Sequence, residues 1–204
     1  MLMVSDPMPV RRAVRRLVAV GSAIAAMAGI SACRGLTSVE ASFDNVSDSL
    51  DFYAINGAPP GAPTAINLYS GIASHANQVF AYDIAFDINA AGSVVLIPAR
   101  LLATQFSTPY SVGLQRVAGT SFSALDHAPK DGYVVDSVLV VGVGAVVAIE
   151  SHDAARCGFA IKGQTYFSKL VITSVDLTTR KIGTKIGVDR NCGFRSFADG
   201  RPKD

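Results

Sequence analysis

Residues 79–89 read VFAYDIAFDIN, and their alternation decides the fold. Phe80, Tyr82, Ile84, Phe86 and Ile88 take every second place, with Ala81, Asp83, Ala85 and Asp87 between them. Side chains of an extended chain point to opposite faces with a period of two, so five large apolar groups share one face and must meet a core. NAAG (89–92) then reverses the chain, with Gly92 predicted at a positive φ, and SVVLIPARLL (93–102) returns as the second strand of a hairpin. Pro98 has no amide to donate, so its strand is expected to be an edge, or bulged there.

Outward from this hairpin further strands are suggested. YSVGLQRV (110–117), GYVVDSVLVV (132–141), AVVAIES (145–151), QTYFSKLVITSVD (164–176) and KIGTKIGVD (181–189) read as strands. In the last, Ile182, Thr184, Ile186 and Val188 face one way and Lys181, Lys185 and Asp189 the other, and LTTR (177–180) turns the preceding strand into it. No sustained i, i+3, i+4 apolar pattern follows residue 33; only short helical turns are expected, near SFSALDHA (121–128) or HDAARC (152–157). Many short strands without intervening helices predict an all-β fold, an antiparallel β-sandwich or barrel-like single domain.

The segment before these strands has another character. Arg11, Arg12, Arg15 and Arg16 precede an uncharged apolar run from Leu17 to Ile30, which is shorter than the roughly 20 residues that span a bilayer and is the length of a secretory signal core. Ile30, Ser31, Ala32 and Cys33 follow in that order: an aliphatic residue, two small ones and a cysteine. This leader resembles those of bacterial lipoprotein precursors, and the resemblance covers the leader alone. It implies cleavage between Ala32 and Cys33 and acylation of the Cys33 thiol, which makes the lipid bilayer a partner. Arg34 stands where an Asp would imply retention at the inner membrane, so the analogy points to the outer membrane of a bacterial cell envelope. The arginine pairs lack the flanking residues of a twin-arginine signal and serve as ordinary positive charge. The expected organisation is a signal peptide over 1–32, a small and polar lipidated tether over 33–48, and the β domain over 49–204, with NGAPPGAP (56–63) a stiff connection inside it.

Removing the leader takes four of the 18 bases and one of the 16 acids, which leaves a net charge of −1. The basic pI belongs to the leader, and nucleic acid, whose binding needs a retained excess of Lys and Arg, is not an expected partner. Charge is uneven, −5 over 33–99 and +4 over 100–204. Of three cysteines, lipidation of Cys33 leaves Cys157 and Cys192. An oxidising compartment favours their pairing, worth about 3.5–4 kcal/mol by loop-closure entropy; two buried free thiols are the alternative.

Few residues invite chemistry. VLVVGVGAVVAIE (138–150) imitates a dinucleotide fingerprint through Gly142 and Gly144, yet Val147 stands where the third small residue belongs and no helix follows, so a strand-to-strand turn is expected and no nucleotide. Asp87, Asn89 and Gly92 match three places of a calcium loop whose other ligand places hold Ala91 and Pro98. His75, His127 and His152, with Asp126 or Asp153 behind them, lack the spacing that sets two metal ligands on one element. Ser151, His152 and Asp153 are consecutive and point in different directions, which rules out a catalytic relay. No cofactor, metal or catalytic set is therefore expected. The favoured reading is a membrane-anchored, non-catalytic binding or structural domain that holds an envelope protein or glycan. The alternatives are a carbohydrate-binding or adhesive module, disfavoured by the absence of Trp, and an enzyme using the loop histidines.

Overall fold

In the computed structural model, residues 39–76, 82–102, 110–158 and 160–203 are described. Eleven strands among them form two antiparallel sheets packed face to face, an all-β sandwich. The strands are β1 (Val46–Tyr53), β2 (Ala65–Asn67), β3 (Ile72–Ser74), β4 (Ile84–Ile88), β5 (Val94–Pro98), β6 (Tyr110–Val117), β7 (Val134–Val135), β8 (Leu139–Val141), β9 (Val146–Asp153), β10 (Thr165–Asp176) and β11 (Lys181–Asp189). The larger sheet runs β1-β11-β10-β9-β6-β7 and the smaller β3-β2-β4-β5-β8. Two one-turn helices, α1 (Ala99–Leu102) and α2 (Ala154–Cys157), follow β5 and β9.

The alternating stretch is the centre of the smaller sheet. β4 is paired on both sides, Ile84, Phe86 and Ile88 are buried, and Phe86 stacks on Phe52 of β1 across the sandwich with ring centroids 4.2 Å apart. Phe80 lies outside the described residues. Burial is broader than alternation implies, because Ala85 and Asp83 are also fully buried. Asp83 sits in a bend just before β4, where the period of two no longer governs its direction. The β4–β5 hairpin forms with Gly92 at φ 78°, a conformation that would strain any residue with a Cβ. Pro98 does not mark an edge strand, since β8 flanks β5; it is the last residue of β5, beyond Leu96 where β8 pairing stops, so no ladder asks for its amide.

Two other strands depart from the sequence pattern. GYVVDSVLVV divides at Asp136, whose φ of 46° swings the chain out of β7 on the larger sheet and into β8 on the smaller. The turn is held by the Asp136 amide on the Val112 carbonyl and by the Asp136 carboxylate on the Val112 amide. In β11 the apolar face is buried as its alternation requires, but Asp189 on the opposite face is buried too. Its Oδ1 accepts the Asn191 amide and side-chain Nδ2, both at 2.8 Å. That outer face is covered by residues 118–132 and the C-terminal segment, which enclose a second core of Leu125, Ala128, Val146, Ala148, Phe167 and Phe197. Lys169 is buried beneath this cover, where its Nζ donates to the carbonyls of Phe122 and Leu125.

The folded unit begins earlier than composition indicates. Ala41 is buried, and Asn191 Oδ1 accepts the amides of Ser42 and Phe43 at 2.8 and 2.9 Å while Nδ2 returns a bond to the Phe43 carbonyl. Asn45 donates to the carbonyls of Ser196 and Ala198. Residues 42–45, polar enough to read as tether, are thus clamped by the C-terminal segment, and residues 46–48 already belong to β1. Next to Asn191, Cys192 forms a disulfide with Cys157 of α2, the Cα atoms 5.7 Å apart. Replacing both cysteines by alanine is expected to lower the unfolding free energy by about 2–4 kcal/mol, measured by urea denaturation against the oxidised protein.

Candidate functional site

The site grows from the turn between β2 and β3. Asn67 Oδ1 accepts the amide and hydroxyl of Ser70, the Gly71 amide bonds the Asn67 carbonyl at 2.8 Å, and Gly71 closes the turn at φ 71°. Asn, Ser and Gly each do here what suits them to turns: side-chain mimicry of a backbone acceptor, a short donor, and left-handed φ. The turn is fixed to the interior at Leu68, whose amide donates to Asp83 Oδ2 at 2.5 Å.

Asp83 is fully buried, and its other oxygen accepts the hydroxyls of Tyr110 from β6 and Tyr166 from β10, each at 2.5 Å. The network reaches the surface through Arg156, whose guanidinium donates to Tyr166 Oη at 3.0 Å and pairs with Asp153 at 3.2 Å. Asp153 also caps α2, accepting the amides of Ala155 and Arg156. Burial, reinforced by the Asp83 carboxylate, pushes the Tyr110 and Tyr166 hydroxyls well above the usual phenol range. Burial likewise raises Tyr82 and Tyr133.

Tyr69, next in the turn, packs edge-on against Tyr166, and the Arg156 guanidinium lies over its ring at 5.4 Å. Its turn forms one wall of a groove of about 200 Å³ between the sheets. Leu50, Ile66, Ile186 and Val188 supply an apolar floor, Val46 lies at the mouth, and Asp48 and Arg190 are the two charged lining residues. Strand length explains the opening. β1 and β11 are eight and nine residues long, whereas β2 and β3 have three each, so the smaller sheet stops short of the inner face that the longer strands present.

The residues singled out in the sequence do not converge here. Ala32 and Cys33 lie outside the described residues. His75 follows β3, His127 is exposed in the covering segment opposite Ser196, and His152 lies on strand β9 rather than in a loop, 3.4 Å from Thr165 Oγ1. Among the described residues no cluster of three His, Cys, Asp or Glu is placed to hold a metal. Asp87 is engaged by Arg180 at 3.0 Å and by Asn56, and Asn89 Oδ1 accepts the Ala91 and Ser93 amides inside its hairpin. Gly142 and Gly144 form the turn from β8 to β9. Ser151 and Asp153 are buried on one side of β9 while His152 is half-buried on the other, so the three form no relay. Glu150 shares the His152 side; burial raises its carboxyl, against the pull of Arg195 and His152.

Sequence reading missed Asp83, Tyr69 and Arg190, since a lone acid in an alternating strand reads as solvent-facing and neither of the others belongs to a motif. No known protein family, curated protein or solved structure matches the chain.

Asp83→Ala would take the acceptor from the buried Tyr166 hydroxyl and Leu68 amide, at about 1–3 kcal/mol each, and leave the Tyr110 hydroxyl only its 3.4 Å contact to the Tyr82 carbonyl. A loss of at least about 3 kcal/mol in urea denaturation is expected, with a smaller loss for Tyr166→Phe. The tyrosines give a pH test. Their folded pKa values exceed that of the unfolded chain, so the unfolded state releases the proton first and stability falls as pH rises above about 10. In a spectrophotometric titration Tyr110, Tyr133 and Tyr166 should ionise together with unfolding, not before it.

Proposed function

We propose that this protein is an exported, lipid-anchored binding domain of a bacterial cell envelope, attached to the outer membrane through acylated Cys33, with the groove as its binding site. The observation that carries the reading is the use of the cysteines. Cys157 and Cys192 are taken up by the disulfide, and the cysteine that remains is the one preceded by Ile30, Ser31 and Ala32 after a charged and then apolar leader. Structural disulfides belong to oxidising compartments, which agrees with export. Two or more acyl chains would hold the protein lastingly, at about 0.8 kcal/mol per buried methylene.

Binding without catalysis is supported by the state of the polar groups. The Asp83 carboxylate is consumed by three internal donors, Asp87 by Arg180 and Asn56, and the histidines stand apart. An adhesive module with aromatic platforms is disfavoured, because Tyr82, Tyr110 and Tyr166 are spent inside the fold.

The anchor is tested by growing cells with labelled palmitate and partitioning the extract in a phase-separating detergent. The native protein should carry label, enter the detergent phase and begin at Cys33 by mass spectrometry, and Cys33→Ala should be unlabelled. A Cys33→Ala protein that still takes up label, or a native protein that retains residues 1–32, refutes the anchor.

A further inference from the structure

The geometry points to a ligand class for the groove: a small amphiphile with one anionic head, its apolar end between the sheets and its acid group on Arg190. This rests on reading the groove as the binding site. Size comes first. An apolar cavity of about 150 Å³ takes up benzene, so about 200 Å³ accommodates a ring or a short alkyl chain but no folded partner. The lining sets the character of that end, because Leu50, Ile66, Ile186 and Val188 offer it no hydrogen-bonding side chain.

Charge then selects the head group. Among the described residues Arg190 forms no ion pair; its guanidinium carbon lies over the Phe43 ring, 5.4 Å from the centroid, a cation–π contact that uses none of its N–H donors. A planar fork of donors matches a carboxylate. Asp48 forms no ion pair with the guanidinium: Asp48 is level with Ile186, four residues before Arg190, so the two backbones are about 13 Å apart along the strands. Asp48 has a different consequence. Together with Asp51 it puts acid on the edge of β1 that no described strand pairs, the device by which edge strands repel an added strand, which disfavours an extended peptide as occupant.

The test uses the full chain in phosphatidylcholine nanodiscs with isotope-labelled Ile, Leu and Val methyl groups. The probes are 4-phenylbutanoate, 4-phenylbutanol and 4-phenylbutylammonium. The carboxylate should shift the methyl signals of Ile66, Ile186 and Val188 and bind about tenfold more tightly than the alcohol, the ammonium most weakly. Arg190→Gln should bring the carboxylate to within about twofold of the alcohol, while Arg190→Lys keeps part of the preference. Val46→Trp, at a half-exposed position, should block all three without altering methyl signals far from the groove. No groove-localised shift at millimolar probe, a carboxylate no better than the alcohol, or a preference for the ammonium overturns the ligand class. Those outcomes are independent of palmitate labelling at Cys33, so failure of the ligand and failure of the anchor are told apart.

Discussion

A carboxylate buried between two sheets is the constraint on which the rest of this sandwich turns. Asp83 belongs to the smaller sheet's chain, while the hydroxyls that satisfy it come from β6 and β10 of the larger one. Apolar packing alone, such as Phe52 on Phe86, holds sheets together without fixing their offset to a fraction of an ångström. Directional bonds at 2.5 Å to a group that has no water to fall back on do fix it. The cost of leaving any of these partners unmade is what makes the network a specification of geometry.

That geometry is passed on to the groove. The Leu68 amide on Asp83 holds the 67–71 turn, Tyr69 is wedged against Tyr166, and the turn stands where short β2 and β3 leave the inner face of β1 and β11 uncovered. The opening is thus a product of unequal strand lengths, and its wall is positioned by a buried polar network. Arg156 links the same network to α2, whose Cys157 is bonded to Cys192. Beside Cys192, Asn191 closes the fold around Ser42 and Phe43, and Arg190 lies at the groove mouth. Three consecutive residues, 190 to 192, therefore serve groove, clamp and crosslink.

Much of this was legible in the chain. Period-two alternation marked β4 and β11, because a half-buried strand must separate its faces, and Gly92 and LTTR marked reversals that only certain residues make without strain. The short β2 and β3 were not visible: three-residue strands carry too little pattern. Asp136 hid the division of β7 from β8, since a positive φ at a non-glycine residue has no fixed signature. Asp83 and Asp189, charged residues set opposite the apolar faces of their strands, read as surface; Asp83 is buried because Tyr110 and Tyr166, remote in sequence, donate to it, and Asp189 because Asn191, two residues on, does the same locally.

By itself the sequence determined that the chain is all-β, since alternation and turn chemistry are local and need nothing beyond neighbouring residues. Only the tertiary structure decided which strands share a sheet, which acids go inside, and where the two sheets fail to meet. Those outcomes depend on pairings such as Tyr166 with Asp83, 83 residues apart, and on strand lengths compared across the sandwich, quantities that no window of sequence contains.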